Sequence, residues 1–456
     1  MKMTAWQAAQ ACGGELLCGD PQTPLTSFFT DSREVCTGGM FVPLKGERTD
    51  AHIFIEATLQ AGAAGTLTQM DIPLREDRVV IRVKDTLYAL QEIGAWWRSQ
   101  FSIPVIGVTG SVGKTTTKEM IALALSASFS VMRTRGNQNS QVGMPLTLFQ
   151  LEEEHDCAVV EMGMSNFGEM ARLSEISRPT MAVMTNIGIS HIAYLKTQEN
   201  ILREKLHITD RFGPDQFLFV NGDDPLLRRL EGEVPLRVVT FGLSEGCQYR
   251  AVQVEMDETG VRFLLQTPRG VLPMSIPVPG EHNVRNAAVS IAVTEALGGD
   301  VEKAALALSH YEPPAMRQQI FHAGGVTVVD DTYNASPDSV HTAVQLLARL
   351  GAQGRKIAVL ADMLELGEKS YEGHYDCGAF CAENGVDMVI AVGEESAATA
   401  QGARETAGSH PVEVYHCENN EQAIGILKKQ LLPGDTVLVK GSRGMHMEEI
   451  VRELLQ

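Results

Sequence analysis

Residues 104–117 read Pro104-Val105-Ile106-Gly107-Val108-Thr109-Gly110-Ser111-Val112-Gly113-Lys114-Thr115-Thr116-Thr117. The stretch opens with an apolar run, which is typical of a parallel strand that is buried on both faces. Residues 118–127 follow with apolar side chains at helical spacing and predict an amphipathic helix. A buried strand that leads through a glycine-rich loop into a helix begins a βαβ unit, and it predicts an α/β fold with a parallel sheet.

The loop in this stretch has the residues of a phosphate-binding site. Gly110 and Gly113 allow the backbone to curl so that several N–H groups point into one concavity, and the helix N-terminus adds its dipole. Lys114 supplies a charge for the β- and γ-phosphates of a nucleotide, and the Thr115 hydroxyl is placed to bind Mg²⁺. The predicted nucleotide-binding residues of the loop are Gly110, Ser111, Val112, Gly113, Lys114, Thr115 and Thr116.

The loop departs from the common pattern G-x-x-x-x-G-K-[ST], because the residue five positions before Gly113 is Val108. The alternative interpretation is a glycine-rich turn followed by a solvated lysine. The buried strand before the loop and the amphipathic helix after it favour the nucleotide site, since a phosphate loop requires both.

Outward from this stretch, the chain of 456 residues divides into three predicted domains, at 1–83, 84–312 and 313–456. The first mixes short strand-like runs with glycine-rich turns, which indicates a small α/β unit. The second alternates buried strands with helices, and from about 236 to 278 it changes to the alternating pattern of an antiparallel addition. The third follows a Glu-Pro-Pro linker and repeats the α/β pattern.

The composition limits the classes of partner. Lys and Arg number 38 against 57 Asp and Glu, which gives a net charge of −19. A surface this acidic disfavours nucleic acid and anionic lipid, so we predict small-molecule partners, and nothing predicts an oligomer. We expect neither a secretory signal nor membrane insertion, because no run reaches the roughly 18 apolar residues of a membrane span. The eight cysteines include no C-x-x-C pair, which indicates reduced thiols in a cytoplasmic protein.

Two further polar residues are expected beside the phosphate loop. Glu161 ends a second buried strand, and His191 follows a third. Because the carboxyl ends of neighbouring parallel strands meet at one edge of a sheet, both side chains should face the phosphates. Each alone is more often an ordinary polar residue, but together they predict a second magnesium site. Lys205 lies in the next helical pattern, where a lone lysine is usually a solvated surface charge.

A series of motifs over nearly the whole chain resembles the Mur ligase family, the amide-forming enzymes of bacterial cell-wall precursor assembly. The motifs are the short phosphate loop, Glu161-Met162-Gly163, Asn186 with His191, Gly280-Glu281-His282-Asn283-Val284-Arg285-Asn286, Asp330-Asp331-Thr332-Tyr333-Asn334-Ala335-Ser336-Pro337 and Lys440-Gly441-Ser442-Arg443. The resemblance implies a small N-terminal UDP-binding domain, a central phosphate-loop ATPase domain and a C-terminal Rossmann-like domain.

The resemblance also implies roles for single residues. Lys205 matches a lysine that family members carry as an N-carbamate, a carboxylate-like ligand for Mg²⁺. The implied catalytic residues are Lys114, Glu161, His191 and Lys205. The implied ligands of two Mg²⁺ ions are Thr115, Glu161, His191 and carbamylated Lys205. The implied contacts to ATP beyond the loop are Asn283 and Asn286 at the adenine, Asp331 at the ribose, Tyr333 beside the nucleotide and Arg317 at the phosphates.

The motif at 330–337 is similar to that of family members that add D-alanyl-D-alanine to UDP-N-acetylmuramoyl-tripeptide. Ser336 departs from it, since the family has a second Asn there. Asp31-Ser32-Arg33 and Lys45-Gly46 resemble uridine-diphosphate-binding loops, although the tripeptide also occurs in ordinary turns. The implied substrate-binding residues are Asp31, Ser32, Arg33, Lys45, Gly46, Asn137, Asn139, Asn334 and Ser336.

The implied activity is that of an ATP-dependent ligase, in which the substrate carboxylate takes the γ-phosphate and an amine then attacks the acyl phosphate. Two alternatives stay open. One is a different ligase of the Mur or folyl-polyglutamate type, and the UDP-binding character of the first domain weighs against the folate enzyme. The other is a phosphate-loop ATPase or nucleotide switch, which would turn over ATP without an acceptor amine.

Overall fold

Three large sheets organise the protein, which a computed structural model describes over residues 3–46, 49–350, 354–364, 366–408 and 411–456. In chain order the sheets have five, nine and six strands, and most neighbouring strands run parallel. Helices pack on the sheets, so the predicted α/β fold class is confirmed.

The first sheet forms the N-terminal unit. Its elements are β1 (Met3–Thr4), α1 (Ala5–Cys12), β2 (Glu15–Cys18), β3 (Pro24–Leu25), β4 (Ser27–Phe29), β5 (Gly39–Phe41), a 3-10 helix (Ala51–Phe54), α2 (Ile55–Gln60), β6 (Gly65–Thr68) and β7 (Val79–Arg82). The strand order is β2-β7-β6-β5-β4, with β1 and β3 as a separate pair. Because β4 and β5 pair in parallel, the loops that follow them leave the same edge of the sheet.

The second sheet forms the central unit. Its elements are α3 (Thr86–Ser99), β8 (Val105–Thr109), α4 (Lys114–Ser126), β9 (Val131–Arg133), α5 (Gly143–Leu148), β10 (Cys157–Glu161), α6 (Glu169–Ser177), β11 (Met181–Met184), α7 (Ile192–Leu195), α8 (Gln198–Leu206), a 3-10 helix (His207–Thr209), β12 (Phe217–Asn221), α9 (Pro225–Arg228), β13 (Arg237–Gly242), β14 (Tyr249–Asp257), β15 (Gly260–Thr267), β16 (Gly270–Ile276), α10 (Glu281–Ala296) and α11 (Val301–Leu308). The strand order is β16-β15-β14-β13-β12-β11-β8-β10-β9.

The antiparallel part of this sheet begins later than the sequence pattern predicts. The prediction placed it from about residue 236, but β13 pairs in parallel with β12. Antiparallel pairing starts between β14 and β15 and continues to β16. The boundary was wrong because the alternating burial lies in β14 and β15, whereas β13 is continuously buried from Val239 onwards, as a strand inside a parallel sheet is.

The third sheet forms the C-terminal unit. Its elements are β17 (Gln319–Ala323), β18 (Val326–Asp331), α12 (Pro337–Leu350), β19 (Lys356–Ala361), a 3-10 helix (Gly367–Lys369), α13 (Ser370–Glu383), β20 (Met388–Val392), α14 (Ala397–Thr406), β21 (Glu413–Cys417), α15 (Asn420–Gln430), β22 (Thr436–Lys440), a 3-10 helix (Arg443–Met445) and α16 (Glu448–Leu454). The strand order is β17-β18-β22-β19-β20-β21, in which only the edge strand β17 pairs antiparallel.

The strand that leads into the phosphate loop is buried along its whole length. Val105 belongs to a core that the central unit shares with the N-terminal unit. Ile106 and Val108 belong to the core on the other face of the sheet, together with Met120 of α4. This two-sided packing explains the unbroken apolar run in the sequence, and it anchors the strand from which the loop departs.

Two expectations about the chain as a whole can be compared with the structure. Within the residues that the structure describes, every helix is too short or too polar to span a lipid bilayer. All eight cysteines are free thiols, and five of them are buried.

Candidate active site

Three loops leave the central sheet side by side. Strands β10 and β11 flank β8 in parallel, so that Glu161 is level with Val108, and Met184 is level with Thr109. The carboxyl ends of the three strands therefore meet at one edge. The phosphate loop, the Glu161 carboxylate and the loop that holds His191 lie together there, as the sheet argument predicts.

The phosphate loop is held in a curled shape. Gly110 has φ +151°, and a β-carbon there would overlap the Thr185 hydroxyl, so this position requires glycine. The Thr185 hydroxyl donates to the carbonyl of Val112 at 2.6 Å. Lys114 is the first residue of α4, and its Nζ donates to the carbonyl of Gly110 at 2.8 Å and to that of Ser111 at 3.3 Å. The lysine therefore lies along the loop whose anion it would neutralise.

A hydroxyl and a carboxylate meet at the start of α4. The Thr115 hydroxyl donates to Oε2 of Glu161 at 2.9 Å, and Asn139 donates from Nδ2 to Oε1 at 2.7 Å. The Thr134 hydroxyl accepts from the backbone N–H of Glu161 at 3.0 Å. Glu161 is only 2% exposed, so these contacts fix its direction. Closely spaced hydroxyl and carboxylate oxygens are the ligands that Mg²⁺ prefers.

Lys205 is buried rather than solvated, with 1% of its surface exposed. Burial lowers the pKa of its amine well below the usual value, the positive charge of Lys114 lowers it further, and Glu204 opposes both effects. His191 lies at φ +63°, an unfavourable backbone conformation for a residue other than glycine. Among the described residues, no three His, Cys, Asp or Glu side chains form a metal-binding group by themselves.

A cavity of about 970 Å³ opens between the central and C-terminal units at this edge. Most of the predicted site residues line it, and they come from both units. They are Ser111, Val112, Gly113, Lys114, Thr115, Thr116, Asn137, Asn139, Glu161, His191, Asn283, Asn286, Arg317, Asp331, Tyr333, Asn334 and Ser336. The predicted residues outside its lining are Asp31, Ser32, Arg33, Lys45, Gly46, Gly110 and Lys205.

Two amide side chains at the start of α10 face this cavity with unused hydrogen-bonding atoms. Asn286 accepts on Oδ1 from the Thr117 hydroxyl at 2.8 Å, and Asn283 donates from Nδ2 to the carbonyl of Pro279 at 2.8 Å. Within the described part of the chain, the other two amide atoms, Oδ1 of Asn283 and Nδ2 of Asn286, are buried without a partner. Buried polar atoms are rarely left unsatisfied, so one acceptor and one donor remain for a ligand.

The C-terminal unit contributes a buried ion pair and a stacked cation. Lys440 donates from Nζ to Oδ2 of Asp331 at 2.7 Å and to the carbonyl of Asn334 at 2.9 Å. The Arg317 guanidinium lies 4.0 Å from the centre of the Tyr333 ring. Arg317 therefore brings a positive charge to the cavity that the phosphate loop also lines.

The two loops predicted to bind UDP follow β4 and β5 in the N-terminal unit, away from the main cavity. Arg33 pairs with Asp31 at 2.6 Å while 87% of its side chain stays exposed. Hydrogen bonds from Arg33 lower the pKa of the Asp31 carboxyl to about 2. The backbones of Lys45 and Asp50 pair as an isolated antiparallel β-bridge. The loops are neighbours because their strands pair in parallel.

Comparisons with known proteins agree with this architecture. The family model of the Mur ligase middle domain matches residues 108–294, and that of the Mur ligase glutamate ligase domain matches residues 316–443. Over 437 residues the chain is 38% identical to the UDP-N-acetylmuramoyl-tripeptide--D-alanyl-D-alanine ligase of Bacillus subtilis, with 95% of this chain and 94% of that protein covered. The chain belongs to the Mur ligase family.

Solved structures extend the similarity to the whole Mur ligase chain. A crystal structure of MurF from Acinetobacter baumannii matches with a TM-score of 0.91 and 32% identity, covering 100% of this chain and 99% of that one. The MurF ligase of Thermotoga maritima in complex with ADP matches with a TM-score of 0.82 and 28% identity, covering 94% and 96%.

Sequence reasoning missed several residues of this Mur ligase site. His282 lines the cavity, and burial lowers the pKa of its imidazole to about 4, with the Arg285 charge adding to the effect, so the ring is neutral at pH 7. Asp224 and Asp338 accept hydrogen bonds from the backbone of the loop that holds His191. His282 lies within a recognised motif and could have been found there, whereas nothing local in the sequence marks the two aspartates.

Proposed function

We propose that this Mur ligase adds D-alanyl-D-alanine to UDP-N-acetylmuramoyl-tripeptide, and that ATP activates the tripeptide carboxylate as an acyl phosphate. The contact of Thr115 with Glu161 beside Lys114 carries the proposal, because it joins a phosphate-loop hydroxyl to a buried carboxylate in one cavity. Asn334 and Ser336, two of the residues expected to bind substrate, line the same cavity, and we assign them to the acceptor. The Bacillus subtilis relative is named for these same substrates, which supports the choice.

We assign two magnesium ions to this edge of the sheet. Thr115 and Glu161 would hold the ion on the ATP phosphates, and Glu161, His191 and a carbamylated Lys205 would hold the second. When bound, Mg²⁺ neutralises charge on the transferring phosphoryl group. Lys205 suits carbamylation because its lowered pKa favours the neutral amine, which is the form that attacks CO₂. That reaction forms an N–C bond, releases one proton and would provide a third ligand beside Glu161 and His191, since no third His, Cys, Asp or Glu side chain of the described residues does so.

The nucleotide would lie along the phosphate loop with its base towards α10. The unused acceptor of Asn283 and the unused donor of Asn286 match the donor and acceptor edges of an adenine ring. Asp331 would accept from the ribose, with Lys440 holding its carboxylate in place. Arg317 and Tyr333, stacked on each other, would reach the phosphates and flank the nucleotide.

The reaction proceeds by two displacements. The tripeptide carboxylate attacks the γ-phosphorus of ATP in line, the bond to the ADP oxygen breaks, and Lys114 neutralises the charge that spreads over the transferring oxygens. The neutral amine of D-alanyl-D-alanine then attacks the acyl carbon, the amine loses a proton, and inorganic phosphate leaves. Holding the reactants in one cavity lowers the activation free energy by roughly 7–11 kcal/mol in favourable cases.

We assign the three units separate tasks with boundaries at 1–83, 84–312 and 313–456. The N-terminal unit holds the UDP group through Asp31, Ser32, Arg33, Lys45 and Gly46. Asn137 and Asn139 contact the muramoyl peptide at the central unit, where Asn139 also holds Glu161. The C-terminal unit holds the acceptor amine. We place the enzyme in the cytoplasm, where ATP is available and where its eight free thiols stay reduced.

One assay separates this function from its alternatives. Phosphate release from ATP is measured with UDP-N-acetylmuramoyl-tripeptide and either D-alanyl-D-alanine or single amino acids. The proposed ligase releases phosphate only when all three substrates are present and the acceptor is the dipeptide. Release without any acceptor would identify an ATPase or nucleotide switch, and release with a single amino acid would identify another ligase of the family.

A pair of variants tests the observation that carries the proposal. Thr115→Val removes the hydroxyl that donates a hydrogen bond to Glu161. We expect kcat to fall by roughly 100-fold or more, because the site that stabilises charge on the phosphates is then incomplete. Thr115→Ser keeps the hydroxyl and is the matched control. Equal activity of the valine variant and the parent protein would exclude the role of this residue.

A further inference from the structure

The loop between β11 and α7 is held by side chains from three different parts of the chain. Three successive backbone N–H groups of this loop each donate to one side chain. The pairs are Ile187 with Asp224 Oδ2 at 2.7 Å, Gly188 with Ser111 Oγ at 2.9 Å and Ile189 with Asp338 Oδ2 at 3.0 Å. Backbone N–H groups removed from water need acceptors, so each of these three bonds contributes to the order of the loop.

Asp338 differs from the other two acceptors because it belongs to the C-terminal unit. It lies in the first turn of α12, whereas Asp224 caps α9 of the central unit and Ser111 is part of the phosphate loop. Gly188 has no β-carbon on the side that faces this carboxylate. A β-carbon at this position would overlap Oδ2 of Asp338. The glycine therefore allows the C-terminal unit to approach the loop backbone directly.

The same loop connects the phosphate loop to His191. At its start, Asn186 accepts on Oδ1 from the backbone N–H of Val112 at 2.8 Å. At its end, His191 has φ +63°, a strained conformation that persists only where the surrounding contacts impose it. The bond from Ile189 to Asp338 lies two residues before that strained position. Loss of the bond would therefore release the backbone that directs the imidazole.

We propose that Asp338 is a positioning residue that couples docking of the C-terminal unit to the His191 loop. With the C-terminal unit docked, its carboxylate completes the set of acceptors and orders the loop beside the phosphates. With that unit undocked, the N–H of Ile189 loses its acceptor, and His191 is no longer held. ATP is then cleaved efficiently only when the unit that brings the acceptor amine is present. The consequence for catalysis rests on the proposed function, whereas the ordering of the loop does not.

A second contact between the same units provides a matched control. Arg349, also in α12, pairs with Glu281 of α10 at 3.0 Å, and the two side chains are 52% and 43% exposed. This pair lies on the surface, where solvent screens it, and it does not touch the His191 loop. Arg349→Ala therefore removes a docking contact from the same helix without removing an acceptor from the loop.

Hydrogen exchange of the protein alone tests the ordering of the loop. In Asp338→Ala, we expect amide exchange in residues 187–191 to become faster by roughly 5- to 10-fold, the effect of losing one hydrogen bond. Asp338→Asn keeps an acceptor oxygen but removes the charge, so its exchange should stay close to that of the parent protein. Arg349→Ala should also leave exchange in this segment unchanged. The proposal would be overturned if amide exchange in residues 187–191 were unchanged in Asp338→Ala, or if it became faster by the same factor in Asp338→Ala and Arg349→Ala.

Steady-state kinetics tests the consequence for catalysis. Asp338→Ala should lower kcat by roughly 10- to 100-fold through misplacement of His191, with little change in KM for ATP. Asp338→Asn should recover most of this loss, which a role of the negative charge in helix stability would not allow. A rise in KM with kcat unchanged would refute the coupling. If the parent protein shows no ligase activity, the proposed function fails, while the exchange experiment still decides the role of Asp338 in the loop.

Discussion

We predict that breaking the buried ion pair of the C-terminal unit strongly lowers the free energy of unfolding of that unit. Lys440 and Asp331 are 2.7 Å apart, with side chains 3% and 12% exposed. At that distance of 2.7 Å their attraction is about 6 kcal/mol at an effective dielectric constant of 20. Lys440→Met keeps the length of the side chain but leaves the Asp331 carboxylate buried without its cation. We expect the variant to lose roughly 3–5 kcal/mol of the free energy of unfolding of this unit.

The assay has to report on the C-terminal unit itself. The three tryptophans lie at positions 6, 96 and 97, so their fluorescence does not probe this unit. Amide exchange of β18 and β22 as a function of urea concentration gives the free energy of unfolding there. A loss below about 1 kcal/mol in Lys440→Met would refute the reasoning, because it would mean that water or another cation solvates Asp331.

Further variants isolate the pair. Lys440→Met combined with Asp331→Asn removes the orphaned charge and should regain most of the lost stability. Together with Asp331→Asn alone, it completes a double-mutant cycle that measures the coupling. Lys303→Met removes a lysine that is 69% exposed and lies 3.2 Å from Asp300. This surface pair should contribute less than about 1 kcal/mol, which controls for the loss of a positive charge.

Four more variants follow from the site. Lys205→Met should abolish ligase activity yet stabilise the protein in carbonate-free buffer. Because the pKa of Lys205 is lowered on folding, the unfolded state binds more protons, so the stability of the parent protein falls as pH drops from about 10.4 towards the folded pKa. As the pH drops over that window, the difference in free energy of unfolding between Lys205→Met and the parent protein, measured with urea, should therefore grow. A difference in free energy that does not change with pH would count against a neutral Lys205. Lys205→Ala should regain part of its activity with short carboxylic acids, whereas full activity without them would remove the role of the carbamate. Glu161→Gln should lower kcat by roughly 100-fold and raise the Mg²⁺ concentration needed for half-maximal rate, and an unchanged Mg²⁺ dependence would contradict its role as a ligand. Gly110→Ala should lose ATP binding in calorimetry, because the new β-carbon overlaps Thr185, and parent-like affinity would show that the loop tolerates a different shape.

Lys205 illustrates how far a local pattern can mislead. In the sequence it resembles a solvated helical lysine, with Arg203 two residues before it. The structure exposes Arg203 and buries Lys205, which lie on opposite faces of α8. Only the resemblance to the Mur ligase family indicated Lys205 as a site residue. A buried lysine breaks the usual separation of the apolar and charged faces of a helix, so the local pattern could not indicate it. Its burial depends on what packs against the helix, and the helix alone does not contain that information.

The amino-acid pattern was enough to predict the α/β fold class, the buried strand that enters the phosphate loop and the placement of Glu161 and His191 at one sheet edge. These features depend on local periodicity and on the geometry that all parallel sheets share. The burial of Lys205 and the hydrogen bond of Ile189 to Asp338 became visible only in the folded protein, since the partners of that bond are 149 residues apart. Such contacts depend on how distant segments pack together, and no spacing along the chain encodes that arrangement.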